Sequence, residues 1–375
     1  MNKLGSKILY LSKLGLKLGV LGIIMLVTVF GLKSCSTPTV EEVDTGDWFS
    51  FPVPEEFSQE AYFSSGNQEK PAGGKGYVQV TKNGNFALPS GKRIRFWGTS
   101  IGYDALHTSK EKARKIAANI DRLGFNLVRI SSLDAALVDN QFNDTRHLDE
   151  KRLDQFDYLF HQLKQRGIYV ELTLTAHRKF KKGDEVQDWN DPQFTGGYRQ
   201  RRLLRAMTMV DPHLLELQKE FVKKLLDHEN PYTGNKYSNE PGIAAMEIIN
   251  ETTLDLAWIS GMLNFNSPRT PRITSYYSKM LDLYWFKWLE EKYGTTKMLK
   301  TAWEKGGGKG LRGEESLEDG NVKRVRYANR NGYSNARIYD TLRFYQYLQR
   351  KYFKEMSNYL RKELGVQVPI SNSHT

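Results

Sequence analysis

Disulfide bonds and several common enzyme motifs are missing from this sequence. Cys35 is the single cysteine among 375 residues, so the chain cannot form an internal disulfide and must be stabilised by its core. There is no G-x-S-x-G elbow, no G-x-x-x-x-G-K-S/T loop and no H-E-x-x-H helix, and the seven histidines show no metal-ligand spacing. These absences disfavour enzymes built on those three motifs.

Positive charge is in excess, but its distribution does not favour a nucleic-acid partner. The formal net charge is +12, and five lysines with no acidic residue in the first 35 positions leave +7 for the remainder. In that remainder, basic residues alternate with acids on predicted helices, and no block of like charge contains interleaved aromatics. The pattern predicts a solvated surface and no nucleic-acid binding.

The first 47 residues predict export and do not belong to the folded domain. A lysine-bearing stretch leads into fifteen apolar or small residues, Leu18 to Leu32, a length that suits a signal-peptide core better than a membrane span. The following Ser34-Cys35 resembles a bacterial lipoprotein processing site, which predicts a signal segment at 1–35 and lipidation of Cys35. An uncleaved signal anchor is the alternative. Residues 36–47 are polar and acidic and predict a linker. The body of the protein is expected outside the cytoplasm, either as a bacterial membrane-anchored lipoprotein or as an extracellular or periplasmic protein.

Two patterns of secondary structure follow one another after the linker. Residues 48–94 predict an N-terminal β-hairpin region, because Tyr77 to Thr81 and Asn85 to Leu88 flank Asn83-Gly84, a two-residue turn signal. From 95 to 375 strands and helices alternate, which predicts an α/β fold of the (β/α)8 TIM-barrel type.

Five strands and several helix boundaries can be assigned in this second region. Thr108 and Glu111 form a capping box before one amphipathic helix, and Asp211-Pro212 opens another. Three helices end in a glycine, an apolar residue and a β run, which is the local repeat of a parallel β/α architecture. A closed barrel needs eight strands, so the domain is expected to be incomplete at its C-terminus. The predicted strands are 95–100, 127–131, 169–177, 243–251 and 368–372.

Glu251 is the strongest candidate for a catalytic residue. It closes the hydrophobic strand at 243–251 and is followed by the polar pair Thr252-Thr253. Barrel enzymes carry their active sites at the carboxyl ends of the strands, and glycoside hydrolysis needs two carboxyl groups across the scissile bond. Glu251 is therefore predicted to be a catalytic carboxyl group, whereas an isolated Asn-Glu pair would be read as a surface turn.

Three motifs resemble glycoside hydrolase clan A, most closely the family 5, cellulase-like group. In order they are FWGTS, LGFNLVRIS and NPYTGNKYSNEPGIAAMEIINET, and the resemblance extends from about Trp48 to the end of the chain. It implies that Glu251 is the acid/base of a retaining mechanism and that Asn250 binds the sugar 2-hydroxyl. It also implies that Arg129 keeps the nucleophile ionised, and that the chemistry needs no cofactor or metal.

A second acid on the same strand has a different predicted role. Glu247 lies four residues before Glu251, and period-two alternation sends it to the same face but deeper. A buried carboxylate must be paired, and Arg129 is the expected partner. Glu247 is thus predicted to be structural support.

Substrate contacts are expected from a histidine and three tryptophans at or just after strand ends. His177 could contact a sugar, although an ordinary rim histidine is an equal alternative. Trp97, Trp189 and Trp258 could stack on pyranose rings, or could pack the loops instead.

The expected nucleophile is missing from this sequence. The resemblance places it on a seventh strand, and no acid after Glu251 lies on a convincing strand end. The expectation is a truncated coding sequence whose product is inactive as it stands. A non-catalytic carbohydrate-binding lipoprotein is the rival function, and a segment at 285–304 keeps β-galactosidase-like enzymes open within the clan. The predicted substrate is a β-linked polysaccharide or oligosaccharide.

Overall fold

A parallel sheet forms the centre of the structure. The computed structural model describes residues 70–191, 197–265, 272–305 and 308–372, with the backbone alone for 197–200. The predicted signal segment, Cys35, the linker and residues 48–69 lie outside this description. Within the described ranges, no helix is both long and apolar enough to cross a bilayer.

Nine strands are present in the described part of the chain. They are β1 (Gln79–Val80), β2 (Phe86–Ala87), β3 (Gly98–Ile101), β4 (Leu127–Ile130), β5 (Tyr169–Thr173), β6 (Glu229–Asn230), β7 (Asn235–Lys236), β8 (Ile243–Glu247) and β9 (Ile370–Ser371). Five of them form one parallel sheet in the order β3-β4-β5-β8-β9, and the other four form two small antiparallel pairs. All five strands predicted between 95 and 372 are confirmed, each shorter than its sequence pattern.

Helices separate the parallel strands, as a β/α architecture requires. In the described residues they are α1 (Tyr103–Leu106), α2 (Lys110–Arg122), α3 (Leu133–Ala136), α4 (Glu150–Gln165), α5 (Gly197–Met207), α6 (Pro212–Asp227), α7 (Leu254–Ile259), α8 (Ser275–Tyr293), α9 (Thr296–Glu304) and α10 (Asn335–Asn358). The fold is therefore a parallel α/β fold. Closure into an eight-stranded barrel stays a prediction.

The two faces of the sheet differ in chemistry. Val128, Ile130, Leu172 and Met246 are buried and belong to the main apolar core together with residues of the surrounding helices. Arg129, Thr173 and Glu247 alternate with these residues and lie on the second face toward the carboxyl ends, where the register sets Thr173 of β5 opposite Glu247 of β8. Nearer the amino ends this face is apolar, with Tyr169 in a small second cluster. Polar groups therefore collect toward the carboxyl ends on the face turned away from the helices.

The hairpin β1–β2 has a different turn from the one that its sequence predicts. Gln79 pairs with Ala87, and the Thr81 N–H donates to Asn85 O at 2.8 Å, which leaves three loop residues instead of two. The Gly84 N–H closes the turn on Thr81 O, and Gly84 has a φ of +75°. A type I turn followed by a left-handed glycine is the usual three-residue solution.

A segment before this hairpin packs beneath the amino ends of the strands. The Ala72 N–H donates to Lys164 O at 2.8 Å, and the Lys164 ammonium forms a buried ion pair with Glu240 at 2.6 Å. A Cβ on Gly73 would lie 2.3 Å from the carbonyl carbon of Pro241, and Gly73 has a φ of +77°. Only glycine fits here, because both the conformation and the space exclude a side chain.

The long connection between β8 and β9 adds aromatic residues to the main apolar core. The sequence predicts long helices at 273–293 and 336–364, which correspond to α8 and to α10 with its π-helical extension Tyr359–Glu363. Trp285 stacks on Trp303 at 6.2 Å between ring centroids, and the Trp303 indole N–H donates to Asp340 at 2.9 Å. Satisfying this N–H lets the large ring be fully buried.

Candidate active site

The carboxyl edge of the parallel sheet carries the strained backbone of the molecule. Among the described residues, four that are not glycine have a positive φ, namely Ser132, Glu185, Asp188 and Glu251. All four lie in the segments that follow β4, β5 or β8. Such conformations persist where the surroundings enforce them, and they cluster at functional sites.

A hydrogen-bonded cluster of four side chains underlies this edge. The Arg129 guanidinium of β4 donates to the Glu247 carboxylate of β8 at 2.5 Å and to the amide oxygen of Asn250 at 2.7 Å. The Thr173 hydroxyl of β5 also donates to Glu247, at 2.8 Å. Glu247 is fully buried, and its predicted pairing with Arg129 is confirmed, whereas its structural role stays a prediction.

Asn250 is held from two directions at the end of β8. Its backbone N–H donates to Thr175 O at 2.8 Å, and its side-chain oxygen accepts from Arg129. The bond from Arg129 engages one lone pair of the amide oxygen and orients the amide, which leaves the NH₂ group available to donate to a ligand.

Glu251 stands beyond this cluster and is exposed at the edge. Its φ of +39° turns the chain out of the strand direction. It lines a small groove of about 50 Å³ together with Arg202 and Arg205 of α5 and with Thr253 and Leu256 at the start of α7. Glu251 therefore belongs to an open concave surface that two arginines also line.

His177 is half-buried beside the same edge. Its Nδ1 lies 2.8 Å from the Ser132 hydroxyl, and its backbone N–H donates to Asp134 at 2.9 Å. Burial lowers the pKa of His177 below its ordinary value, with further lowering by Arg205 and Arg201 and opposite contributions from Asp134 and Glu251. The imidazole is therefore neutral at pH 7.

Two of the three tryptophans do not lie where the sequence places them. Trp97 precedes β3 instead of following it, and its ring stacks on Phe125 at 5.9 Å, at the amino edge of the sheet. Trp258 is buried in α7, and its indole N–H donates to Val325 O at 2.7 Å. Both predictions of a sugar-stacking position are corrected. Trp189 is partly buried against the apolar core, and its role in substrate binding stays a prediction.

The arginines of α5 are functional candidates that the sequence patterns above do not single out. Residues 199–205 hold four arginines and no acid, so the alternation of charges seen elsewhere fails in this stretch. Arg201, Arg202 and Arg205 line the groove of Glu251 or the small cavity beside it. The run itself is the available signal, because a block of like charge on an amphipathic helix predicts an anion contact. The described residues contain no cluster of three or more His, Cys, Asp or Glu side chains able to hold a metal ion.

Comparisons with known proteins find likeness only in three dimensions. No protein-family model and no characterised protein sequence matches the chain. An endo-1,4-β-mannanase from Rhizomucor miehei is 18% identical, with a TM-score of 0.38, over 62% of this chain and 64% of the mannanase.

Two β-galactosidases are similar over about a third of their own length. The enzyme from Halorubrum lacusprofundi is 17% identical over 71% of this chain and 34% of its own, with a TM-score of 0.44. The enzyme from Marinomonas ef1 is 15% identical over 74% of this chain and 37% of its own, with a TM-score of 0.46. At such low identities and TM-scores, the likeness assigns neither a family nor an activity to the chain.

Proposed function

We propose that the chain belongs to a glycoside hydrolase that cleaves β-linked polysaccharide or oligosaccharide by a retaining mechanism, with Glu251 as acid/base. The supporting observation is the position of Glu251 on a concave surface at the carboxyl end of β8, one residue after an asparagine held by a buried ion pair. That edge is where α/β enzymes carry their chemistry. The family motifs in the sequence agree with this assignment.

Each polar group of the site has a proposed role. The NH₂ group of Asn250 donates to the 2-hydroxyl of the bound sugar, and Arg129 keeps the amide in that orientation. His177 contacts the sugar as a neutral donor or acceptor, its Nδ1 being tied to Ser132. Glu247 holds Arg129 in place and does not touch the substrate.

The proposed reaction uses Glu251 twice. In the first step the protonated carboxyl group of Glu251 gives a proton to the glycosidic oxygen as the bond from this oxygen to the anomeric carbon breaks. A second carboxylate forms a bond to the anomeric carbon at the same time. In the second step the ionised Glu251 takes a proton from the water that releases the sugar. The second carboxylate is not assigned to any described residue.

The test is turnover of aryl β-glycosides by a purified form of the protein that contains the second carboxylate, beginning with β-mannosides, β-glucosides and β-galactosides. Glu251→Gln should lower kcat/KM, which reports the first step, by about 10²-fold to 10⁴-fold on poor leaving groups, and far less on dinitrophenyl glycosides, whose departure needs no proton. Glu314→Gln, the same change at an exposed position, is the control. A measurable kcat/KM on poor leaving groups that is equal in Glu251→Gln and the wild type would remove Glu251 from the mechanism.

The rival function is glycan binding without cleavage. It is supported if the wild type binds a β-linked oligosaccharide in calorimetry, loses that binding in Asn250→Ala and hydrolyses none of the aryl glycosides. Retaining hydrolysis by the wild type would exclude it.

Export and lipidation remain part of the proposal. We propose that Cys35 carries a lipid and that the protein acts at the outer side of a membrane. Radiolabelled palmitate should be incorporated into the wild type and not into Cys35→Ser when both are expressed in a bacterium, while an uncleaved signal anchor would leave both unlabelled and both membrane-bound.

A further inference from the structure

The groove of Glu251 has more positive than negative charge. Arg202 and Arg205 border it opposite the single carboxylate of Glu251. Arg201 and Arg205 also line the adjoining small cavity, where Arg178 and Asp134 complete the charged groups. The described residues of the two cavities thus supply four guanidinium groups and two carboxylates, with His177 neutral beside them.

Internal hydrogen bonds account for only part of this charge. Arg178 is buried and donates to Thr145 and to the Leu217 carbonyl, so it is structural. Asp134 is buried as well, and it accepts from three backbone N–H groups at 176–178. Both groups are thus engaged within the protein, and the other guanidinium groups among the described residues of the two cavities belong to α5.

The α5 arginines differ in how firmly they are held. Arg205 donates to the Ala176 carbonyl, which directs its guanidinium toward the strand edge. The Nε of Arg201 is buried and makes no hydrogen bond within the described part of the chain. Arg202 is exposed on the groove and is the group most open to a ligand. The planar guanidinium group binds carboxylates and sulfate-like oxyanions through paired hydrogen bonds.

We propose that this groove selects anionic glycans, so that an acidic group on a sugar, a uronate carboxylate or a sulfate ester, binds Arg202 and Arg205 beside Glu251. This inference rests on the proposed function and narrows its substrate class. A neutral glycan would cover the arginines without replacing their hydration, whereas an acidic group supplies charge-assisted hydrogen bonds in the same place.

The test uses three tetrasaccharides of one linkage: cellotetraose, its C6-carboxylated form and its C6-sulfated form. Calorimetry on the full purified chain should show that one or both charged forms bind about tenfold to a hundredfold more tightly than cellotetraose at low salt. The advantage should shrink as salt rises, since part of it is electrostatic. Whichever of the carboxylated and sulfated tetrasaccharides binds more tightly identifies the acidic group.

Arg202→Gln should lower the affinity for the charged forms far more than the affinity for cellotetraose, and Arg202→Lys should keep part of the preference. Arg350→Gln makes the same change at an exposed position on α10 and should leave all three affinities unchanged. Equal affinity for neutral and charged forms would overturn the inference, and so would a charged preference that survives Arg202→Gln.

The same measurements test the proposed function separately from the anionic preference. If cellotetraose binds, loses affinity in Asn250→Ala and is not outcompeted by the charged forms, the glycan site stands and the anionic preference is wrong. If none of the three binds, both proposals are overturned for this class of glycan.

Discussion

At the scale of single residues, the buried carboxylate of Glu247 depends most strongly on its hydrogen-bond partners. It is fully buried, and it accepts hydrogen bonds from side chains of two other strands, Arg129 of β4 and Thr173 of β5. Removing one partner of a buried pair leaves a charge without compensation, which costs more than the pair contributes. The stability of the sheet and the orientation of Asn250 therefore depend on one guanidinium group.

Arg129→Met is expected to lower the free energy of unfolding by about 3 kcal/mol, because Glu247 stays buried without its ion-pair partner. The measurement is urea unfolding at pH 7, with Arg350→Met as the exposed control, which should change stability by less than about 0.5 kcal/mol. The double variant Arg129→Met/Glu247→Leu should recover part of the loss. A double variant less stable than Arg129→Met would contradict this account.

His177 gives a pH-dependent contribution with a defined sign. Burial lowers the pKa of its imidazole, so below pH of about 6.5 the unfolded chain binds the proton more readily than the folded protein does. The contribution is complete above pH of about 6.5 and declines as the pH falls toward the lower pKa of the native state. The groups that face it are Asp134, Glu251, Arg201 and Arg205.

The stability of the wild type should thus fall more steeply between pH 7 and pH 5 than that of His177→Asn, by at most about 1.4 kcal/mol per pH unit. Denaturant titrations at half-unit steps measure the two slopes. His161 also has a lowered pKa, and its effect cancels because both proteins contain it. Parallel stability curves would show that His177 titrates normally.

Sequence patterns predict residue contacts where these follow from strand alternation. The pairing of Arg129 with Glu247 was predictable, because both residues lie on the inward face of predicted strands. The burial of Trp258 was not, since the acceptor of its indole N–H is Val325, 67 residues later in the chain. The prediction for Trp97 is wrong because its strand begins three residues later than the pattern indicates.

At the scale of elements, the 70–76 segment shows how a loop fixes the amino ends of strands. At Gly73 an alanine would have to adopt a positive φ, and its Cβ would clash with the Pro241 backbone. Gly91 has a similar φ of +81°, but a Cβ there would have nothing within 4 Å. The two glycines therefore separate conformational strain from steric exclusion.

Gly91→Ala is expected to cost about 1 kcal/mol through its backbone conformation alone. Gly73→Ala should cost about 1–3 kcal/mol more, because the packed backbone must shift. Thermal and urea unfolding of both variants give the comparison. Equal losses in the two variants would show that the 70–76 segment moves aside freely.

Element boundaries illustrate a second limit of sequence patterns. The capping box predicts Thr108 as the cap of α2, but the cap is Ser109, whose hydroxyl accepts from the Lys112 N–H at 3.2 Å. Both side chains can cap, and only the packed helix decides between them. Asp211 caps α6 as predicted, since Pro212 fixes where that helix begins. Helix α5 is absent from the sequence prediction, although Leu203, Leu204 and Met207 form a buried apolar face, because arginines interrupt that short apolar run.

At the scale of the whole molecule, parallel strands of distant sequence origin share one core. The order β3-β4-β5-β8-β9 was derivable from the repeated strand and helix pattern, because consecutive strands in such folds lie side by side. The aromatic core around Trp285 and Trp303 was not, since it joins helices separated by a stretch without periodicity.

Hydrogen exchange should rank the strands by burial. Amides of β4, β5 and β8 are expected to exchange slowest, because these strands have neighbours on both sides and a buried helix-facing side. The β1–β2 pair should exchange fastest, as it has two residues per strand and an exposed Val80. Mass spectrometry of peptic fragments after deuterium labelling resolves the two groups, and equal protection of hairpin and sheet would contradict this ranking.

The contact between Arg129, Thr173 and Glu247 joins β4, β5 and β8, which span more than a hundred residues of sequence. Slipping any one of these strands by a single position would drive its polar group into the helix-facing apolar layer, where no partner awaits it. The cluster therefore favours the correct register of the three strands over slipped ones. A chain that assembles its sheet correctly has, by the same event, oriented the amide that precedes its candidate acid.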